Sequence, residues 1–149
     1  MENKYYKPDL EEFHLGFEYE AESTRYPDRN NWHPETFYLN KGHLNLVTIN
    51  TLYHNKVRVK YLDKEDIESL GFIHEGGKLS MYGSQYYIKT LKDAINHDTI
   101  IRLEKTQGII QITTEHEGGM DSKPYVLFNG FCKNKSELKR ILKQIGVCQ

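Results

Sequence analysis

Two groups of side chains have the residue types of a nucleotide site. Arg25, Tyr26, Arg29, Trp32 and His33 lie close together in one irregular stretch, and Tyr82, Tyr86 and Tyr87 in another segment. A flat ring stacks on a base, and a guanidinium forks onto phosphate. These residue types predict a pocket for a small nucleotide-like ligand. The same residues also fit a plainer role, with half-buried strand tyrosines and one tryptophan pinning a loop.

Other chemistry is sparse. The histidines are His14, His33, His43, His54, His74, His97 and His116, and no two of them lie three to five residues apart. There is no CxxC or HExxH spacing, so no metal set is expected. No GxSxG elbow occurs, and Cys132 and Cys148 stand in no recognised nucleophile context. Two segments, HEGGK at 74–78 and HEGGM at 116–120, carry Gly-Gly after His-Glu. Neither leads into a helix, so both read as turns and not as phosphate cradles. Folded to one end of a sheet, they would bring His74, Glu75, His116 and Glu117 into a polar cluster. The chain leans away from an enzyme: no catalytic residue and no cofactor is expected. The enzymatic alternative is a hydrolase built from scattered His and Glu.

Net charge is −1 and the pI is near 6.7, which gives no general pull toward nucleic acid or an anionic membrane. The charge is unevenly spread. Residues 1–22 carry Glu2, Asp9, Glu11, Glu12, Glu18, Glu20 and Glu22 against Lys4 and Lys7. Residues 133–143 carry Lys133, Lys135, Lys139, Arg140 and Lys143 against Glu137 alone. These read as two solvated faces, and the alternative is a basic helix docking on phosphates. No apolar run approaches the length of a membrane span, and the N-terminus has no apolar leader segment. With two cysteines and no leader, the expected setting is a reducing cytoplasm with both thiols free.

The elements that must position these residues are legible from period and punctuation. At 149 residues, 38% apolar and 28% charged, the chain reads as one globular domain over 1–149. Residues 13–20, FHLGFEYE, alternate and predict a strand with Gly16 on its outer face. Residues 23–45 lack a period and predict an irregular excursion with a short extra strand near 36–39. Strands are expected at 46–52 and 56–62, then a helix over 63–70 capped by Asp63 and closed by Gly71. A meander follows, with strands at 72–74, 79–82, 85–91, 99–104, 109–114 and 125–131, and KTQG at 105–108 as a four-residue hairpin loop. The C-terminal helix, 135–145, has Asn134 as its cap and Glu137 at the reciprocal position. Its stripe of Leu138, Ile141, Leu142 and Ile145 must cover a sheet face. The fold class is α+β: a mostly antiparallel sheet of about six to eight strands, one short helix and one covering helix.

Three blocks carry a family likeness: KPDLEEFHLGFEYE (7–20), VRVKYLDKEDIESLGF (57–72) and LFNGFCKNKSELKRILKQIGV (127–147). In order and wording they resemble a family of small hypothetical proteins of gut Bacteroidetes bacteria and their phages. The likeness covers about a third of the chain. It implies a phage or prophage origin, with action in the host cell cytoplasm, and assigns no functional residue. The expected function is a non-enzymatic binding protein that sequesters a nucleotide-derived signal of host defence. The alternative is a structural or protein-interaction adaptor, virion-associated or bound to a host factor, using a strand edge or a Tyr-rich patch. Nucleic-acid binding ranks below both.

Overall fold

The strand and helix signals resolve into an α+β fold in the computed structural model, which describes residues 4–22, 32–38, 56–76, 83–92, 98–116 and 124–148. Nine strands form two antiparallel sheets among these residues, and the chain falls into two compact units, residues 1–61 and 62–149.

The first unit holds β1 (Tyr5–Tyr6), a 3-10 turn (Leu10–Glu12), β2 (Glu18–Glu22), β3 (Trp32–Thr36) and β4 (Val57–Lys60), in the sheet order β1-β4-β2-β3. Alternation in β4 works as the sequence predicts. Val57 and Val59 are buried, while Arg58 and Lys60 are partly exposed on the other side.

The strand predicted over 13–20 begins only at Glu18. Gly16 takes a left-handed conformation (φ +82°) that turns the chain, leaving Leu15 exposed and Phe17 buried. The Phe17 amide donates to His14 O at 2.9 Å, and the Gly16 amide donates to Phe37 O at 2.9 Å. The turn gathers Phe13, Phe17, Tyr19 and Phe37 into one aromatic cluster, with ring centres 4.8–5.7 Å from Phe13. The extra strand expected near 36–39 lies earlier, at β3. The expected strands at 46–52 and 79–82 fall outside the described residues.

The second unit is a meander, β5 (Ile73–His74), β6 (Gln85–Lys92), β7 (Asp98–Thr106), β8 (Ile109–His116) and β9 (Tyr125–Phe131), in sequential order. The β7–β8 loop is tighter than predicted. Thr106 still pairs with Ile109, so only Gln107 (φ +47°) and Gly108 (φ +85°) turn the chain. Two positive φ angles in succession match the twist of a hairpin.

Two helices complete the unit. In α1 (Lys64–Ser69) Asp63 Oδ1 accepts from the Asp66 amide at 3.0 Å, and Asp66 Oδ2 accepts from the Asp63 amide at 3.4 Å. Gly71 (φ +84°) ends it, and Phe72 tucks into the core. In α2 (Lys135–Gln144) Asn134 Oδ1 accepts from the Glu137 amide at 2.9 Å. Glu137 reaches back to the Lys133 amide at 2.7 Å, one residue before the cap. Leu138, Ile141 and Leu142 join Ile67, Tyr87, Ile101, Leu103, Ile110 and Ile112 in a single core. One face of the sheet is thereby covered. Its other face carries Tyr86, Ile88, Arg102, Glu104, Gln111 and Thr113.

Candidate functional site

Of the residues predicted to hold a nucleotide, Trp32, His33, Tyr86 and Tyr87 are among the described residues. Arg25, Arg29 and Tyr82 lie outside the described residues. Trp32 and His33 sit on β3 in the first unit, Tyr86 and Tyr87 on β6 in the second. Adjacent on a strand, Tyr86 and Tyr87 point to opposite faces. Tyr87 is fully buried and packs edge-on against His74, with ring centres 5.1 Å apart. Burial, with Glu68 and Asp63 behind it, holds the Tyr87 phenol above its usual pKa. Its work is packing, and no surface of it faces a ligand.

Trp32 already has a cation. The Arg58 guanidinium lies 4.1 Å from the Trp32 ring centre and 3.9 Å from that of Tyr5, and its Nε donates to Glu20 Oε2 at 2.6 Å. Four strands supply this stack: β1 gives Tyr5, β4 Arg58, β2 Glu20 and β3 Trp32. A base entering here would have to displace the guanidinium from the indole. His33 is exposed beside it, paired across the strands with Ala21.

On the open face of the second sheet, Tyr86, Arg102, Glu104, Gln111 and Thr113 line a shallow hollow of about 300 Å³. Tyr86 Oη donates to Glu104 Oε1 at 3.2 Å. Arg102 pairs with Glu115 at 3.1 Å and more loosely with Glu75 at 3.9 Å. Of the four residues in the polar cluster expected from the two His-Glu segments, His74 and Glu75 have described side chains. Glu75 and Glu115 meet on Arg102, His74 turns inward, and Glu117 lies outside the described residues. A phosphate placed against Arg102 would meet two carboxylates already there.

The sheet edges show a sharper feature. β1 and β5 are edge strands of two residues each, and β3 is an edge strand interrupted by Pro34 and charged at Glu35. Short length, proline and charge are the usual means of keeping an edge from pairing with another chain. β9, at the far edge of the second sheet, has none of them. Its seven residues, YVLFNGF, include no charge and no proline. Tyr125 is 64% exposed, Val126 57% and Phe131 73%. Ile109, opposite Phe131 on β8, is 40% exposed. One shift in the β8–β9 register, at Ile112/Thr113, leaves Phe128–Phe131 as the regular part of the strand. A Cβ at Gly130 would come within 3.1 Å of the Phe128 ring, so a larger residue there would require that ring to shift by a few tenths of an ångström. The sequence shows β9 as a strand. Its signal as a surface is the run of seven uncharged residues ending two positions before Lys133.

The remaining reactive groups are quiet. Cys132 is buried, and its thiol is pushed up to about 12 by desolvation and then by Glu137. Among the described residues no three His, Cys, Asp or Glu side chains form a metal-binding group, and no helix is long and apolar enough to cross a membrane. Comparison with protein-family models, with curated proteins and with solved structures finds no match to this chain.

Proposed function

We propose that this protein is an interaction module whose β9 edge receives an extended segment of a partner protein. One observation carries the reading. β9 is the single edge strand among the described residues that is long, uncharged and apolar in solvent, while β1, β3 and β5 are short or interrupted. An added strand gains its affinity from main-chain hydrogen bonds and its specificity from alternate side chains. β9 offers both: a row of backbone groups with no neighbour among the described residues on that side, and Tyr125, Val126 and Phe131 around it. The adaptor reading of the sequence anticipates such an edge. The phage origin implied by the family likeness fits a host protein as the partner. The nucleotide reading has less support, since Trp32 is occupied by Arg58, Tyr87 is buried, and Arg102 is held by carboxylates.

Amide hydrogen exchange tests the reading. A panel of short synthetic peptides with alternating apolar residues is added to the full chain. The amides of 125–131 that point away from β8 exchange fast alone and slow on peptide addition. Protection arising elsewhere, or none across the panel, would remove β9 as the site.

A further inference from the structure

We propose that the open face of the second sheet binds an uncharged sugar ring in the hollow lined by Tyr86, Arg102, Glu104, Gln111 and Thr113. This site goes beyond the edge reading and does not depend on it.

The sheet register builds the hollow. Tyr86, Glu104 and Gln111 stand directly opposite one another on β6, β7 and β8. Arg102 and Thr113 form the next row on the same face. Three strands give a width of about 10 Å, and two rows a length of about 7 Å along them. The patch has the scale of a single small ring and not of an extended chain. Its volume of about 300 Å³ is that of a small ligand cleft.

Donors and acceptors converge there. Tyr86 Oη donates to Glu104 Oε1 at 3.2 Å, which leaves Oε2 to accept from elsewhere. Arg102 holds Glu115 at 3.1 Å and Glu75 at 3.9 Å through its two Nη groups. Its Nε–H is screened from water and meets no acceptor in the chain. Buried donors are nearly always paired, so this N–H marks a place for an acceptor from outside. Gln111 brings an amide and Thr113 a hydroxyl, each able to donate and to accept. A group that can donate to Glu104 and accept from Arg102 and Gln111 is a hydroxyl. A ring with several adjacent hydroxyls meets them together. Tyr86 adds an aromatic body, the kind of surface on which the C–H side of such a ring packs.

Charge selects the class. Three carboxylates, Glu75, Glu104 and Glu115, stand around one guanidinium, so a phosphate or carboxylate is repelled. An ammonium finds Glu104 but lies against Arg102 of like sign, and it has no lone pair for the unmet Nε–H. An uncharged polyhydroxylated ligand avoids both costs.

The test is a titration of the isotope-labelled full chain, read by its backbone and side-chain amide resonances. The neutral probes are glucose, galactose, mannose and N-acetylglucosamine. Glucuronate and protonated glucosamine are the charged counterparts of glucose and N-acetylglucosamine. The expected result is that a neutral sugar moves the signals of residues 86, 102, 104, 111 and 113, with a Kd of about 1 mM. The charged counterparts bind about fivefold more weakly or less. In the Gln111→Leu/Thr113→Val variant the affinity falls by about tenfold or more, while the core amides of Leu103 and Ile110 stay in place and show the sheet intact. Phe131→Lys, on the β9 edge, keeps the sugar affinity of the parent. Tighter binding of glucuronate or glucosamine than of their neutral counterparts overturns the uncharged class. No movement at these five residues with any neutral sugar overturns the site and leaves the edge reading standing. Unchanged affinity in the double variant overturns it equally.

Discussion

Phe131 and Ile109 face each other across β9 and β8, and both stand in solvent. A directly opposed apolar pair contributes roughly 0.2–1 kcal/mol through its mutual contact. That is small beside the liability of displaying it on an open edge. Beside the short or interrupted strands β1, β3 and β5, the pair marks the edge as a surface to be used.

Phe131→Lys puts a charge on this edge. Because the ring is largely exposed, thermal unfolding should move by no more than the equivalent of about 1 kcal/mol. The expected gain is in solution behaviour, with less light scattering at high protein concentration, as edge lysines give elsewhere. A large fall in melting temperature would mean that Phe131 is structural.

Arg58 binds the first sheet together. It touches ring faces from β1 and β3 and a carboxylate from β2, so one truncation loosens three strand contacts. Arg58→Ala should cost about 1–3 kcal/mol in chemical denaturation, more than an exposed ion pair alone gives. Trp32 is the only tryptophan, so its fluorescence reports the loss directly, with emission moving to longer wavelength as the indole meets water. Arg58→Lys should recover only part of the loss, because an ammonium stacks less well between two rings than a planar guanidinium. Unchanged emission in Arg58→Ala would show that the stack does not persist in solution.

The sequence makes the local features of the second unit readable and leaves its global arrangement dark. The ends of α1 and α2 are legible because their caps are local: Asp63 with Asp66, and Asn134 with Glu137, lie three residues apart. β6, β7 and β8 are legible by alternation. The turn at Gly16 is misread, because FHLGFEYE keeps a two-residue period even though Gly16 reverses the chain within it. The Arg58 stack is invisible in sequence, since Tyr5, Glu20, Trp32 and Arg58 are distant along the chain and meet only when the strands pair. The place of β9 is hidden for a related reason. A continuous apolar run reads as a strand covered on both faces, and only the strand order shows that it lies at an edge. Tyr86 and Tyr87 look like one aromatic group in sequence and are parted by the pleat.

The β7–β8 hairpin offers a stabilising change. Gln107 sits at φ +47°, where a side chain is disfavoured, and Gly108 follows at φ +85°. Asn-Gly suits these two positions best. Gln107→Asn should raise stability by roughly 0.5–1 kcal/mol, and Gly108→Ala should lower it by about 1 kcal/mol or more, both read by thermal melting. No Cβ clash awaits at Gly108, so the second effect would be purely conformational. Equal melting temperatures for Gly108→Ala and the parent chain would refute the turn assignment.

The buried thiol gives a pH signature. The Cys132 pKa is raised from 9.0 in the open chain to about 12 in the fold, chiefly by desolvation. Below pH 9 both states hold the proton and stability is unaffected. Between pH 9 and 12 the unfolded chain loses it while the folded chain keeps it, so this group lowers stability by up to about 1.4 kcal/mol per pH unit. Cys132→Ala should show a shallower decline over that range than the parent, once its constant cost from the lost side chain is subtracted. Thiol reagents at pH 8 should label Cys148, which is partly exposed, and leave Cys132 unmodified until denaturant is added. Rapid labelling of both thiols in the native protein would place Cys132 at the surface, and the joint between β9 and α2 would then need redrawing.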